Sequence, residues 1–128
     1  MKPKWLALAA WLAMNNAAAA DALYSACTDK AVRNPEWAAC GAEWIKREEA
    51  AMQTALDAAL QRADDAGKQV IQAEQEAWTS YRNAACRLYD VQFGREGQVI
   101  HYPACVAMTV NERTQLLQKY LGAFDGEP

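Results

Sequence analysis

Four cysteines are the residues of this 128-residue chain with the most evident chemistry. They are Cys27, Cys40, Cys86 and Cys105. No two of them have the Cys-x-x-Cys spacing of a zinc ribbon or a redox motif. An even number of cysteines in a small exported domain is typical of disulfide bonds formed in an oxidising compartment. Proximity in the sequence favours the pairs Cys27–Cys40 and Cys86–Cys105, although two other pairings remain open.

Side chains suited to catalysis are few. His101 is the only imidazole, and Ser25 and Ser80 are the only serines. No nucleophile, base and orienting acid lie close together in sequence, although such groups need only meet in space. The acidic residues fall mainly on helix faces that should be solvated, unlike the opposed carboxyl pair of a glycosidase. We therefore predict a protein that is not an enzyme and that has neither a cofactor nor a metal site.

The first twenty residues have the features of a secretory signal peptide. Two lysines precede an apolar run over residues 5–14, and small residues end at Ala20. The apolar run is too short to span a membrane, which takes about 20 residues. We predict cleavage near Ala20, which gives a single periplasmic or secreted domain of residues 21–128. Lipidation at Cys27 is an alternative, but Tyr24 stands where such a site usually has leucine.

Removal of the signal peptide would make the chain more acidic. Without Lys2 and Lys4, 11 lysines and arginines remain against 16 acidic residues, a net charge near −5. This balance disfavours nucleic acid and anionic membranes as partners and mildly favours a basic protein. Acidic surfaces also keep exported proteins soluble, so the charge alone does not select a function.

The pattern of apolar residues predicts an all-α fold. Residues 34–36, Asn-Pro-Glu, are typical of a helix start with Asn34 as the N-cap, and apolar positions then recur at helical spacing to about Ala63. A turn follows, with Asp65 capping a second helix at about residues 68–90. So short a connection predicts an antiparallel hairpin. The residues of the second helix expected to meet the first are Val70, Ile71, Trp78, Tyr81 and Leu88.

The segment from Phe93 to Pro103 is predicted to be an ordered loop. Its two glycines and its proline oppose a helix, and the flanking cysteines would pin both ends. The Thr-x-x-Glu pattern at Thr109 predicts the start of a last helix, with Gly122 as a plausible stop. The predicted architecture is an antiparallel helical hairpin, a disulfide-pinned loop and a closing C-terminal helix.

This loop is where we expect a contact surface, because helices packed face to face leave mainly charged residues outside. A disulfide at its base would reduce the cost of ordering it on binding. The candidate partner-binding residues are Arg82, Arg95, Gln98, Ile100, His101 and Tyr102. An alternative is that Val99, Ile100 and Tyr102 only cap the open end of the hairpin.

A motif centred on the second helix is the most specific feature of the sequence. Its residues are Gln75, Trp78, Tyr81, Arg82 and Cys86, followed by Gly97, Cys105, Thr109 and Arg113. In this spacing they resemble the LprI-type N-terminal domain, a family of exported bacterial proteins named for a lysozyme inhibitor. The resemblance runs from Cys27 to about Leu117. It implies export, a helical disulfide-linked module and, for the named member, inhibition of lysozyme.

The chain departs from the family pattern at several polar positions. The first helix has Asp57 and Leu60 where the family commonly has Leu-Asn-x-x-Tyr, and Asn83 replaces an aspartate. The paired glycines of the family's loop are reduced to Gly97. The expected function is inhibition of a lysozyme-type muramidase. The alternative is a periplasmic module that recognises another envelope protein or a cell-wall component without inhibiting anything, and the sequence leaves the oligomeric state open.

Overall fold

The computed structural model describes residues 22–127, which form an all-α fold as predicted. Helix α1 covers residues 22–28, α2 Asn34–Arg62, α3 Asp65–Ala84 and α4 Arg87–Gln92. A single turn, α5 (Gly94–Glu96), leads into a π-helix at Gly97–His101, and α6 spans Tyr102–Phe124. The predicted signal peptide, residues 1–20, lies outside the described residues.

Helix α2 is capped by an acid from its own first turn. The N-cap residue is Arg33 rather than the predicted Asn34. The Glu36 carboxylate accepts hydrogen bonds from the backbone N–H groups of Val32 at 2.7 Å and Arg33 at 3.2 Å. The bond from Val32, followed by those from the side chain and backbone of Arg33, lowers the pKa of Glu36. An acid here satisfies N–H groups that the helix itself leaves unpaired.

The turn between α2 and α3 has only two residues, Ala63 and Asp64. The Asp64 side chain accepts a hydrogen bond from the N–H of Gly67 at 2.8 Å, so the cap of α3 is Asp64 rather than Asp65. Because the connection is this short, α3 must pack antiparallel to α2. The sequence therefore specifies both the turn and the direction of the helix that follows it.

Two side-chain contacts confirm the antiparallel course of α3. The Gln75 amide lies 3.8 Å from the sulfur of Met52, and Arg82 forms an ion pair with Glu49. From Gln75 to Arg82 the residue number rises along α3, while that of the α2 partner falls from Met52 to Glu49, as antiparallel helices require.

Helix α3 nevertheless contributes less to the core than predicted. Ile71 is buried and Trp78 packs against the core, as expected. Val70, Tyr81 and Leu88 are instead largely exposed, so the prediction that they meet the first helix is wrong. The reason is that the apolar stripe of α2 is covered mainly by α6, which leaves α3 only a flank of the bundle.

The core lies between α2 and α6, which run in the same direction. Gly41 near the start of α2 lies against Pro103, and Arg62 at its end pairs with Asp125 at 2.6 Å. The buried cluster consists of Met52, Ala55, Leu56, Ala59, Ala63, Ile71, Val106, Val110 and Leu117. Full burial of one large aliphatic side chain is worth about 1.5–3 kcal/mol. Contacts between α2 and α6 therefore supply most of the apolar stabilisation.

The segment predicted as a loop is helical. Helix α3 ends at Ala84, and Cys86 adopts a left-handed conformation with φ of 68°, which starts α4 in a new direction. Gly94, with φ of 61°, supplies a second change of direction before the π-helix. The prediction failed because a glycine weakens a helix by only about 1 kcal/mol. Burial of Val99 against the core outweighs a cost of this size.

Helix α6 begins at Tyr102, seven residues before the predicted start. Pro103 occupies the first turn, where a missing N–H costs nothing. The Thr109 hydroxyl donates to the carbonyl oxygen of Cys105 at 2.9 Å within the helix. The Thr-x-x-Glu pattern is therefore an interior turn rather than a capping box, and the helix continues past Gly122 to Phe124.

Both predicted disulfides are present. Cys27–Cys40 joins α1 to α2, with a Cα–Cα distance of 5.7 Å. Cys86–Cys105 joins the corner before α4 to α6, with a Cα–Cα distance of 5.8 Å. Two disulfides in so small a domain are typical of an oxidising compartment.

Replacing Gly97 by alanine is expected to destabilise the fold by about 3 kcal/mol, the upper end for overpacking. A Cβ at this position would lie 2.8 Å from the Cβ of Phe93 and closer still to the carbonyl oxygen of Tyr89. The carbonyl is part of the backbone of α4 and cannot rotate away. Urea denaturation measures the loss.

Gly94→Ala is the matched control. No atom lies within 4 Å of a Cβ built there, so that variant carries only the strain of its positive φ, about 1 kcal/mol. Equal losses at the two positions would contradict close approach as the role of Gly97.

Candidate functional site

The residues with catalytic potential lie on different parts of the surface. His101, in the π-helix, has its Nε2 atom 3.5 Å from a carboxylate oxygen of Glu96 and its ring 5.7 Å from that of Tyr89. Ser25 lies in α1 and Ser80 on an exposed part of α3. Within residues 22–127, His101 thus forms a surface imidazole–carboxylate pair to which no serine hydroxyl is hydrogen-bonded.

Two residues of the predicted motif form a buried polar network. The Arg113 side chain is 2% exposed and donates hydrogen bonds to Gln75 at 2.9 Å and to Glu74. The second Glu74 oxygen accepts a hydrogen bond from the Tyr120 hydroxyl at 2.7 Å. Because Gln75 and Glu74 belong to α3 and Arg113 to α6, the network joins the two helices. Gln75 and Arg113 therefore stabilise the fold, which agrees with the bracing role that an arginine beside an apolar stripe suggests.

The network also shifts two pKa values. Burial raises the pKa of the Glu74 carboxyl, but hydrogen bonds from Arg113 and Tyr120 and the Arg113 charge outweigh it, and the net pKa is lowered. The hydrogen bond to Glu74, followed by burial, raises the pKa of the Tyr120 hydroxyl. Both shifts favour a Glu74 carboxylate held by a neutral tyrosine and a charged arginine.

The other motif residues divide between core and surface. Trp78 packs against the core, Gly97 is buried, and Thr109 is buried with its hydroxyl oxygen 3.8 Å from the sulfur of Cys86. Tyr81 is the exception, with 60% of its surface exposed. Most of the motif thus specifies the fold, and Tyr81 is available for contacts.

The departures from the family pattern lie mainly on the surface. Asp57 is exposed and accepts a hydrogen bond from Gln53 at 2.8 Å. Asn83 is also exposed, whereas Leu60 is partly buried against the core. Asp57 and Asn83 are therefore polar groups that face solvent, whereas Leu60 contributes to the packing of the helices.

Three of the candidate partner-binding residues make contacts within the fold. Arg82 pairs with Glu49 on α2, and the Gln98 amide donates to the carbonyl oxygen of Asp90 at 3.1 Å. Tyr102 packs against the core. These contacts link α3 to α2, the π-helix to α4 and the start of α6 to the bundle.

The other three candidates are more accessible. Arg95 and His101 are exposed and Ile100 is half-buried. Val99, the neighbour of Ile100, is buried in the core. The segment therefore buries Val99 and leaves Arg95 and His101 exposed to solvent.

Helix α6 carries an exposed ridge formed by Met108 and Glu112. Met108 is 59% exposed, and Glu112 follows it by one turn on the same face. A cleft lies on each side of this α6 ridge, and both ridge residues line both clefts.

The first, which we term the acidic cleft, lies between the α6 ridge and α2 and has a volume of about 300 Å³. Its other lining residues are Trp44, Glu48, Ala107, Asn111 and Gln115. Glu48 is only 7% exposed, and its two oxygens accept hydrogen bonds from the Trp44 indole at 3.2 Å and the Asn111 amide at 3.1 Å. Both donors are neutral, and no lysine or arginine of residues 22–127 forms an ion pair with Glu48.

The second, which we term the aromatic cleft, lies on the opposite side of the ridge and has a volume of about 410 Å³. Its other lining residues are Tyr81, Tyr89, His101, Ala104, Cys105 and Thr109. They come from α3, α4, the π-helix and α6, so the cleft forms only when the helices after the Cys86 corner are in place.

A third cavity, of about 630 Å³, lies at the far end of α3 and α6. Its walls are mainly apolar: Ala66, Gly67, Val70, Ile71, Ala123 and Phe124, with Glu74 and Tyr120 completing the lining. It therefore borders the buried polar network.

The sequence predicted His101 as a contact residue and placed Tyr81 in the core, but it did not point to Glu48 or Asn111 in the acidic cleft. Glu48 and Asn111 are 63 residues apart in sequence, so no local pattern could pair them. The one available signal was an acid four residues after Trp44 on the apolar stripe of α2, since an acid on a buried stripe is uncommon.

Two further findings on residues 22–127 concern metal ions and membranes. Residues 22–127 contain no cluster of three or more histidine, cysteine, aspartate or glutamate side chains able to hold a metal ion. Over the same range, no helix is both long enough and apolar enough to cross a membrane.

Comparison with known proteins identifies a family. A family model described as "Lysozyme inhibitor LprI" matches residues 27–117, most of the chain. The matched range contains both disulfides, the α6 ridge and every residue lining the acidic and aromatic clefts. No curated protein and no solved structure matches the chain.

Proposed function

Because the chain belongs to the LprI lysozyme inhibitor family, we propose that it is an exported binding protein that inhibits lysozyme-type muramidases. The observation that carries the proposal is the match over residues 27–117. It includes all four cysteines and the motif from Gln75 to Arg113, so the resemblance covers most of the folded unit rather than one short segment.

The proposed location is the periplasm or the cell exterior. Two disulfides support an oxidising compartment. The lysines, the apolar run and the alanines of residues 1–20 support a signal peptide cleaved near Ala20. Export would bring the protein to the compartment in which muramidases reach the cell wall.

The proposed mode of action is binding rather than catalysis. An acidic mature chain would attract a basic lysozyme, and electrostatic attraction raises association rates at low ionic strength. Of the contact residues expected from sequence, His101, Arg95 and Ile100 remain proposed members of the contact surface. Arg82, Gln98 and Tyr102 are proposed to support it through their contacts within the fold.

A titration of lysozyme with the mature protein tests the proposal. We expect lytic activity on purified cell walls to fall as the protein approaches equimolar amounts, and to fall less steeply at moderate salt. An unrelated acidic protein of similar charge controls for simple charge neutralisation. Full lytic activity with the protein in large excess at low salt would overturn the proposed function.

The alternative is a module that recognises another envelope protein or a cell-wall component. The observation in its favour is that Asp57 and Asn83 depart from the family pattern at exposed positions, where a contact surface would be altered. Co-purification from the periplasm of a partner other than a lysozyme, without any effect on lysozyme activity, would support it.

A further inference from the structure

We infer that the α6 ridge and the two clefts beside it form the surface that engages a muramidase, and that this surface receives a lysine or arginine side chain of the basic partner. The inference rests on the proposed function and specifies where on the molecule it is carried out. Three properties of the surface support it: a buried carboxylate without an ion-pair partner, a lining without lysine or arginine, and aromatic rings beside an exposed methionine.

Glu48 is a buried acid that lacks a cation. It is 7% exposed and is held only by the neutral Trp44 indole and Asn111 amide. Buried charges are normally paired with an opposite charge, because removal from water is costly. The Trp44 and Asn111 hydrogen bonds fix the carboxylate in the wall of the acidic cleft. A cationic group entering the cleft would supply the missing partner without rearrangement of the protein.

The charges lining both clefts have one sign. Glu48 and Glu112 are the acids of the lining, and neither lysine nor arginine contributes to either cleft. Of the basic side chains close to these acids in sequence, Arg113 is paired with Glu74, and neither Lys46 nor Arg47 lines either cleft. The surface is therefore complementary to a positively charged patch, which is the property expected of a site that attracts a basic enzyme.

The aromatic cleft suits a second basic side chain of the same partner. A guanidinium or ammonium group is attracted to the face of a tyrosine ring within about 6 Å of its centre. Tyr81 and Tyr89 offer such rings, and the exposed, flexible Met108 between the clefts can pack against the aliphatic stem. Interfaces draw most of their binding energy from aromatic and arginine anchors of this kind.

The surface is also rigid before binding. Val106, Ala107 and Val110, which surround the ridge in α6, are fully buried or nearly so. The Cys86–Cys105 disulfide ties the aromatic cleft to the same helix. A preformed surface loses little conformational entropy on binding, so its contacts contribute more fully to affinity.

Binding to a purified c-type lysozyme, measured by calorimetry at low and moderate salt, tests the inference. We expect Met108→Lys to weaken binding by about 30-fold or more. The lysine places a positive charge between the two acids, and this charge repels the positively charged partner. Glu112→Gln should weaken binding by about threefold at low salt, mainly through a slower association rate. Glu48→Gln should weaken it by about tenfold at both salt concentrations.

Two substitutions on α3 serve as controls. Val70→Lys introduces the same charge at an exposed apolar position beside the third cavity, and Glu76→Gln removes an acid from an exposed face of α3. We expect both to change the affinity by less than about twofold, as for other positions outside an interface. Met108 and Glu112 are exposed, so their variants are informative even if Glu48→Gln does not fold.

The outcomes separate the inference from the function on which it rests. Wild-type protein that neither binds nor inhibits the lysozyme would overturn the proposed function. Wild-type protein that inhibits, together with Met108→Lys and Glu112→Gln variants that bind equally well at both salt concentrations, would overturn the assignment of this surface alone.

Discussion

Replacing Glu74 by alanine is expected to lower the free energy of unfolding by about 3 kcal/mol, because it leaves a buried guanidinium without its carboxylate. The Arg113 side chain is 2% exposed, and Glu74 is its only ion-pair partner in the described chain. The expected loss is at the low end for a broken buried pair, since Gln75 still accepts one hydrogen bond from Arg113. Urea denaturation followed by far-UV circular dichroism measures it.

The double variant Glu74→Ala/Arg113→Met identifies the cause. Methionine fills much of the arginine's volume without a charge, so the double variant should be more stable than Glu74→Ala alone. Glu76→Ala, an exposed acid on the same helix, should change the stability by less than about 0.5 kcal/mol. If the double variant is no more stable than the single one, the uncompensated charge of Arg113 is not the source of the loss.

The same pair predicts a dependence on pH. The pKa of Glu74 is lower in the folded protein than in the unfolded chain, where a glutamate titrates at about pH 4.3. Its contribution is therefore complete above that pH and is lost as the pH falls through the lower folded value. The difference in stability between wild type and Glu74→Ala should be constant near neutral pH and should narrow under acidic conditions.

Removing the Cys86–Cys105 disulfide by the paired change to serine is expected to cost about 3 kcal/mol. The bond closes a segment of 19 residues and holds the left-handed corner at Cys86 against α6. The segment carries α4, the π-helix and Val99, whose side chain is part of the core. Loss of the disulfide therefore increases the conformational entropy of the unfolded chain. It also removes a covalent link that holds one wall of the aromatic cleft.

The paired change at Cys27 and Cys40 is the comparison. The chain-entropy model assigns a similar value to both bonds, because the loops differ little in length. The structure predicts a smaller loss here, about 1 kcal/mol, because α1 is mostly exposed and can detach while the α2–α6 core stays intact. Equal losses in urea for the two paired variants would contradict this distinction.

The structure separates most of the residues that identify the family from those proposed to act, with Tyr81 as the exception. Gln75, Trp78 and Arg113 lie in or against the core, and Cys86 and Cys105 are joined to each other. The proposed contact residues Glu48, Met108 and Glu112 lie outside the motif, so these residues, rather than the motif, should decide which partner is bound.

The sequence by itself determined the local features. The Asn-Pro-Glu start, the short turn after Ala63 and the amphipathic stripes predicted α2 and α3 and their antiparallel course, because a helix and a two-residue turn depend on neighbours within a few positions. The spacing of the cysteines favoured the correct disulfides for the same reason. The motif from Gln75 to Arg113 identified the family before any fold was known.

Only the tertiary structure decided which faces meet. The sequence could not show that α6 runs parallel to α2 and covers its apolar stripe. The contacts between these helices join residues far apart in sequence, such as Glu48 and Asn111, which are 63 residues apart. Burial of Val99 outweighs the weak helix propensity around Gly94 and Gly97, so packing turns a predicted loop into helices. Once α6 covers α2, Tyr81 is left in solvent, Glu48 is enclosed without a cation, and the two clefts form beside Met108 and Glu112.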